Sequence, residues 1–372
     1  MTYRKSAETD EEKAFMAQIH ENNAKHVVDE QELNELIEQG NKVYKDNFDG
    51  TVWFERSIFT NWTCGIADCK YCYLSTRPKL EKGAVRSRES ILAEVLLCKS
   101  MGWRVGYLTG GLRVEPTEYL VGLGKLINDV LGERIMFNYG PYTKTETKML
   151  SETLRGMGCA IESFDPKLHS FICPSKPLNS LIKFLGYLED NSMEKLITII
   201  LGIGETMDDV NEVIDYVQKY NITSVQLCFI KPQYGTVFAK VESPDPKYMA
   251  WWTAKLRIAC PKLIIKIALV RDRIEDFSLM LNAGANCFSR YLVFNDFGND
   301  FARQLVAECK RVNRTLEGNF LSIPAINESE LFKDVPIEML PVVKEKFFQY
   351  IHKLEKNLQK QHTVQKALKT DS

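Results

Sequence analysis

Short β-rich runs alternate with segments of helical period along most of this chain, and that alternation limits its fold more than any other feature. The runs are 52–60 (VWFERSIFT), 104–109 (RVGYLT), 134–139 (RIMFNY) and 159–164 (CAIESF), then 196–202 (LITIILG), 224–230 (SVQLCFI), 262–270 (KLIIKIALV) and 285–289 (ANCFS). Segments such as SRESILAEVLLCKSMG and ETMDDVNEVIDYVQKYN lie between them, several ending in Gly or Asn as helix C-termini do. Eight strands with helical crossovers over about 240 residues fit an α/β fold of the closed (β/α)8 TIM type better than an open doubly wound sheet. Residues 10–40 read as a polar helical lead-in with Gly40 as its C-cap. A helical tail (NDFARQLVAECKRVNRTLEG) follows the last strand, then a Pro-broken link near Pro324 and Pro336, then a final helix over 338–360. The expected division is an N-terminal helical extension at 1–48, a barrel at 49–292 and a C-terminal helical extension at 293–372.

In such a barrel, functional groups sit on loops leaving the C-terminal ends of strands. The unusual residues of this chain fall there. Cys64, Cys69 and Cys72 follow the first strand, and Thr109, Gly110 and Gly111 follow the second. Asn138 and Tyr139 end the third and Glu162 ends the fourth. Gly202, Gly204 and Glu205 follow the fifth, Lys231 and Gln233 the sixth, and Arg271 the seventh. Alone, a Gly pair is an ordinary turn and a strand-end Glu an ordinary surface residue. Thr206 to Asp209 likewise reads as a capping box opening a helix. Their convergence on one rim beside three thiols raises a functional reading.

A net charge of −1 on 372 residues, 26% of them charged, excludes bulk electrostatic binding to nucleic acid or an anionic membrane. No apolar run approaches the ~20 residues that cross a bilayer. The charged start MTYRKSAETDEEKAF is unlike a secretory signal. A cytoplasmic chain with reduced thiols is therefore expected, and its ten cysteines form no disulfide framework. Seven of them, at positions 98, 159, 173, 228, 260, 287 and 309, stand singly and read as small buried residues. The locally basic run KLEKNLQKQHTVQKALKT reads as a solvated helix face.

Only 64, 69 and 72 have ligand spacing. A closed structural zinc site needs four Cys or His ligands, and His169 is a lone histidine about 100 residues away. Three thiolates suit a 4Fe–4S cluster with one iron free for an exogenous ligand. A zinc-stabilised non-redox barrel enzyme and an iron–sulfur electron-transfer or scaffold protein remain the alternatives.

The string CGIADCKYC, with Tyr71 before the last cysteine, resembles the ligand motif of the radical S-adenosylmethionine (SAM) superfamily, although its first gap holds four residues instead of three. The order of features over 50–290 is similar to the biotin synthase-like branch. That resemblance implies that Cys64, Cys69 and Cys72 hold a 4Fe–4S cluster and that SAM chelates the free iron. It places the TGG loop (Thr109, Gly110, Gly111) at the SAM amino group, Glu162 of ESFDPKLH at the ribose, and Gly202, Gly204 and Glu205 of LGIGET, with Tyr71, around adenine. Lys176 of CPSKPLN takes the place of the arginine expected at the SAM carboxylate. Reductive cleavage to a 5′-deoxyadenosyl radical would follow, fed by a one-electron donor such as ferredoxin or flavodoxin, with a small-molecule substrate. Where biotin synthases carry cysteines for a second cluster, this chain has Leu108, Phe137 and Thr198, so none is expected. Rim position alone makes Tyr107, Asn138, Lys231 and Arg271 candidate substrate contacts. The longer string FERSIFTNWTCGIADCKYCYLST is most similar to the HmdB/HcgA family, implicated in making the iron-guanylylpyridinol cofactor of Hmd-type hydrogenase. A lyase or methylase of another cofactor pathway is the runner-up. The extra residue of the widened gap is expected to bulge outward at Ala67 or Asp68, with Gly65 supplying a positive φ.

Overall fold

A computed structural model describes residues 9–370, with side chains described for 9–360. The first eight residues of the charged N-terminal stretch and the end of the basic C-terminal run lie outside these limits. Two helices, α1 (Asp10–Asn23) and α2 (Glu30–Asn47), precede β1 (Thr51–Phe59). The repeat then runs through α3 (Arg88–Met101), β2 (Arg104–Thr109), α4 (Thr117–Leu131), β3 (Met136–Asn138), α5 (Lys144–Ser151) and β4 (Gly156–Glu162). It continues with α6 (Pro166–Ile172), α7 (Leu178–Asp190), β5 (Glu194–Leu201), α8 (Asp209–Lys219) and β6 (Ser224–Phe229). The last turns are α9 (Pro246–Ala259), β7 (Ile264–Ala268), α10 (Phe277–Asn282) and β8 (Cys287–Ser289). The tail holds α11 (Val293–Asp296), α12 (Asp300–Arg311), β9 (Thr315–Leu316), α13 (Glu328–Leu331) and α14 (Leu340–Thr370).

The strands pair in the order β2-β3-β4-β5-β6-β7-β8-β1, all parallel, and β1 also pairs with β2. The sheet is therefore a closed eight-strand barrel, the architecture the alternation predicts. Its outward faces are sealed by one large apolar core beneath the helices, in which Phe54, Leu108, Phe137, Ile197, Val225 and Ile265 are almost wholly buried. Leu108 and Phe137 thus lie in the core under the helices. The interior floor is polar. Tyr107 Oη donates to Gln226 Oε1 at 2.9 Å, and Lys266 pairs with Glu55. A buried pair of this kind is favourable only if its remaining hydrogen bonds are met; here Trp53 Nε1 also donates to Glu55 Oε1, at 2.9 Å.

Four local expectations are corrected. The lead-in is two helices: the chain breaks after Asn23, and Asp29 caps α2 by accepting from Glu32 N at 2.9 Å. Gly40 is not a cap but a contact inside α2, where a Cβ would lie 2.7 Å from the Ala283 carbonyl oxygen, so glycine lets α2 lie close to the end of α10. β4 begins at Gly156, three residues before the β-rich run. Gly156 and Gly158 have weak strand propensity, yet any side chain there would meet Glu194 or Asn138 within 2.7 Å. Thr206 and Asp209 do bond each other, but as a turn leading into α8, which starts at Asp209 itself. β9 is an addition: a two-residue strand extending the sheet beside β1.

Candidate functional site

β1 delivers the cysteine loop to the C-terminal rim. Gly111 sets its position. A Cβ on Gly111 would fall 1.7 Å from the Thr63 carbonyl oxygen and 2.5 Å from Cys64 Cα, so the TGG loop and the cysteine loop meet backbone to backbone. Gly65 N donates to Leu112 O at 2.8 Å across the same seam. In return Leu112 N and Ala67 N both point at Cys64 Sγ, at 3.3 and 3.4 Å. Within the widened gap Ala67 adopts φ +44°. Gly65 is not in the positive-φ region; it is small because the carbonyl oxygens of Arg113 and Leu112 would lie 2.9 and 3.0 Å from its Cβ.

Cys64, Cys69 and Cys72 gather in one small apolar cluster with Ile66 and Leu74. Burial pushes the Cys72 thiol up to about 12, so without a metal it keeps its proton. Cys69 behaves differently, because Cys173 donates a hydrogen bond to its sulfur and holds it below the usual thiol range. Cys173, read from the sequence as an isolated buried residue, is in fact the neighbour of a ligand thiol. It arrives from the end of α6, where Lys70 N also donates to Ile172 O at 2.8 Å.

Three thiols in one apolar cluster, with two amides aimed at one of them, are a donor set that fits an iron–sulfur cluster. Among the described residues no group of three or more His, Cys, Asp or Glu is arranged to hold one metal ion. A cluster instead spreads its thiolates over separate irons and is tuned by N–H donors to the sulfurs, such as the two already aimed at Cys64.

Beside the cysteines, Glu162 ends β4 at φ +64°, after a register shift between Ala160 and Glu162. Its Oε1 accepts from Tyr71 Oη at 2.5 Å and from Lys176 Nζ at 2.6 Å, both within the barrel mouth. Burial alone would depress the Lys176 ammonium; the adjacent Glu162 carboxylate outweighs that and raises it, so Lys176 is a fixed cation. Lys176 Nζ also donates to Ala160 O at 2.6 Å. His169 is structural, its Nε2 2.7 Å from Lys176 O and its Nδ1 2.9 Å from Ile161 O.

The GIGE loop is held from behind. Glu205 turns back and accepts from the amides of Gly202, Ile203 and Gly204 at 2.7, 2.9 and 3.1 Å, so its side chain braces the loop. Burial raises the Glu205 carboxyl, opposed by His26 and those amides. α1 closes the loop from outside: Asn22 and Asn23 donate to the carbonyls of Gly204 and Gly202, each at 2.8 Å, and His26 Nε2 lies 2.7 Å from Glu205 O. Phe15 of α1 stacks on Phe171 at 4.0 Å, and Glu12 pairs with Lys70 of the cysteine loop.

The structure therefore brings together Cys64, Cys69, Cys72, Tyr71, Glu162, Lys176 and the TGG loop. Tyr107 lies below the rim, in the floor. Asn138 lies against Gly158, and Lys231 is exposed. Arg271 is drawn away to Asp296 at 2.8 Å. The sequence reading missed Asn61 and Glu115. Asn61 Oδ1 accepts from Gly111 N at 2.8 Å, and Asn61 Nδ2 donates to both Glu115 oxygens at 3.0 Å. Thr60, bonded to Tyr139 Oη at 2.5 Å, completes the set. A cleft of about 860 Å³ opens beside it, lined by Ile66, Leu112, Glu115, Tyr139, Tyr142 and Lys176 among others, a size suited to a small molecule.

The model of the radical SAM superfamily matches residues 63–217. An uncharacterised protein of Methanocaldococcus jannaschii is 27% identical over 311 residues, covering 82% of this chain and 86% of its own length. Biotin synthase of Thermotoga petrophila is 26% identical, covering 68% of this chain and 87% of its own. Among solved structures, methylornithine synthase (PylB) superposes with a TM-score of 0.64 at 17% identity, over 82% of this chain and 93% of that one. The FeFe-hydrogenase maturase HydG of Carboxydothermus hydrogenoformans gives 0.65 at 16%, over 97% and 93%. At such identities these two report the shared barrel.

Proposed function

We propose that this chain, a radical SAM enzyme with biotin synthase-like relatives, acts on a small cytoplasmic molecule in making the iron-guanylylpyridinol cofactor, at the stage of its pyridinol precursor. Its cofactors are a 4Fe–4S cluster and SAM. When bound, they supply a strong one-electron reductant beside a cleavable sulfonium, and with it hydrogen abstraction from substrate. Cys64, Cys69 and Cys72 hold the cluster in this reading. Glu162 keeps Oε2 for a ribose hydroxyl, because Tyr71 and Lys176 both bind Oε1. The TGG loop, fixed by Asn61, presents backbone groups to the SAM amino group. Gly202 to Gly204 form the wall beside adenine in this reading; their amides are held by Glu205 and the Gly202 and Gly204 carbonyls by α1, so the Ile203 carbonyl is the backbone group left to meet it. Lys176 acts through Glu162 by binding its Oε1 and so orienting Oε2.

One observation carries the enzyme reading: the three-thiol loop, with two amides aimed at Cys64 Sγ, lies against the TGG seam. The widened CGIADC gap within FERSIFTNWTCGIADCKYCYLST supports the finer pathway reading. Anaerobic reconstitution should give about four irons and four sulfides per chain, lost in Cys64→Ala, Cys69→Ala and Cys72→Ala. Reduced protein with SAM should release 5′-deoxyadenosine. Mass spectrometry of products formed from candidate pyridinol precursors tests the pathway. SAM cleavage that no pyridinol stimulates, with another cofactor precursor consumed instead, would favour the lyase or methylase reading.

A further inference from the structure

Immediately after the last ligand cysteine the chain becomes basic and apolar at once. Residues 77–88 read RPKLEKGAVRSR, five cations to one anion in a chain of net charge −1. Every residue from 77 to 83 is exposed. The segment runs back along the start of the cysteine loop. Trp62 N donates to Ala84 O and Arg86 N to Thr60 O, each at 2.8 Å, Glu81 N donates to Thr63 Oγ1 at 2.9 Å, and Asn61 pairs antiparallel with Val85. On these two neighbouring segments Leu80, Val85, Trp62 and Phe59 are 55%, 41%, 40% and 37% exposed. Four large apolar side chains, with the exposed cations Arg77, Lys79 and Lys82 on the same segment as Leu80 and Val85, make a surface suited to another protein. Trp62 is two residues from Cys64.

Two other sides of the thiol loop are occupied by protein, and a third opens on the cleft lined by Ile66 and Leu112 that the substrate reading uses. α1 and its Glu12–Lys70 pair close the side nearest Cys69. Tyr71, Glu162 and Lys176 fill the inner side. The face at Trp62 and Leu80 is exposed beside the same loop and stands apart from that cleft, none of its four apolar residues lining it. A basic, aromatic patch also fits single-stranded RNA, but that mode needs free ring faces. Here Arg86 lies 5.9 Å from the Trp62 ring and Arg77 lies 5.6 Å from the Tyr73 ring, and the exposed centre is aliphatic.

We propose that this face docks a small acidic one-electron carrier protein of the ferredoxin type. The carrier loses one electron, the cluster gains one, and no bond is made or broken. The proposal rests on the reading of Cys64, Cys69 and Cys72 as cluster ligands. Opposite charge across the contact speeds encounter and makes it salt-sensitive.

The test uses the reconstituted full chain and a bacterial ferredoxin of the two-cluster type, with the charge-reversed variant Lys79→Glu/Lys82→Glu and the separate variant Leu80→Asp. Titration calorimetry with oxidised ferredoxin at low salt should show binding weakened about ten-fold in each variant. For the charge variant the difference from wild type should vanish near ~0.5 M salt, where the Debye length is only a few ångströms. Stopped-flow reduction by ferredoxin should slow in parallel. Iron content and 5′-deoxyadenosine formed with dithionite should stay at wild-type levels, since a small reductant needs no docking. Unchanged ferredoxin binding in both variants overturns the docking face alone. Failure of the wild type to assemble a cluster overturns the ligand reading and the proposal with it. Binding of oligo(U) that is tighter than that of ferredoxin and displaces it assigns the face to RNA and overturns the proposal too.

Discussion

Gly111 is held to its identity by distance. Because its Cβ would fall on backbone atoms of Thr63 and Cys64, Gly111→Ala forces the two loops apart instead of turning a side chain aside. Reconstituted Gly111→Ala should hold well under half the wild-type iron by colorimetric assay. Gly186, with open space at its Cβ within α7, is the matched control: Gly186→Ala should stabilise the protein by about 0.5–1 kcal/mol in urea unfolding. A second residue with a measurable signature is Glu94. Burial pushes its carboxyl up, but Arg56 and Arg86, at 2.7 and 2.6 Å, more than reverse this and hold it below the usual carboxylate range. A lowered folded value means that its contribution is complete above the unfolded pKa near 4.5 and is lost as pH falls through the folded one. Glu94→Gln should therefore cost about 1–3 kcal/mol at pH 7 by removing the charge from the hydrogen bonds to the half-buried Arg56 and Arg86. Below about pH 4.5 the gap from wild type should narrow. Urea unfolding of both proteins at pH 7 and pH 3.5 checks the sign. Residues also mark how far the sequence could be read. Cys64, Cys69 and Cys72 announce themselves because ligand spacing is local. Cys173 beside Cys69, and Asn61 with Glu115, are joined only by the closure of the barrel, and single side chains brought together in that way carry no periodic signal.

At the scale of elements, the eight strands were legible because a parallel strand buried on both faces must be a short apolar run between helical segments. The boundaries that moved are those made by close approach, Gly40 in α2 and Gly156 in β4, where contact distance outweighs propensity. α1 was legible as a helix but not as part of the site. Its role rests on Asn22 and Asn23, with His26 just past its end, reaching backbone oxygens of the GIGE loop, and polar residues on a polar helix look like solvent-facing ones. Replacing both asparagines with alanine leaves the carbonyls of Gly202 and Gly204 without these donors and loosens the loop. Each lost buried bond costs about 1–3 kcal/mol. Calorimetry should show SAM affinity reduced about ten-fold, with iron content unchanged. Equal affinity in that variant would mean that α1 merely covers the loop.

At the scale of the whole molecule, the barrel is fastened outside its own strands. α14 lies along α3, with Val343, Phe347, Ile351 and Leu354 buried and Tyr350 Oη accepting from Arg86 Nη2 at 3.2 Å. Those four side chains together represent roughly 6–12 kcal/mol of burial, comparable with the entire stability of a domain at about 5–15 kcal/mol. A chain ending at residue 336 should be insoluble or molten. Phe347→Ala should remain folded but melt lower, at a cost of about 3–5 kcal/mol.

The embrace of the GIGE loop by α1 also has a meaning in time. Asn22 and Asn23 bond carbonyls 182 and 179 residues further along the chain. At about 5–20 residues per second of synthesis, α1 emerges roughly 10–40 s before the loop it will hold exists. Throughout that interval Met16 and Ile19, buried in the finished protein, have no barrel to cover them. Cys64, Cys69 and Cys72 wait as well, since Leu112 and Cys173 have yet to be made. The nascent chain thus offers three unwalled thiols to any passing metal or oxidant, and iron reaches a complete pocket only after most of the barrel has been translated.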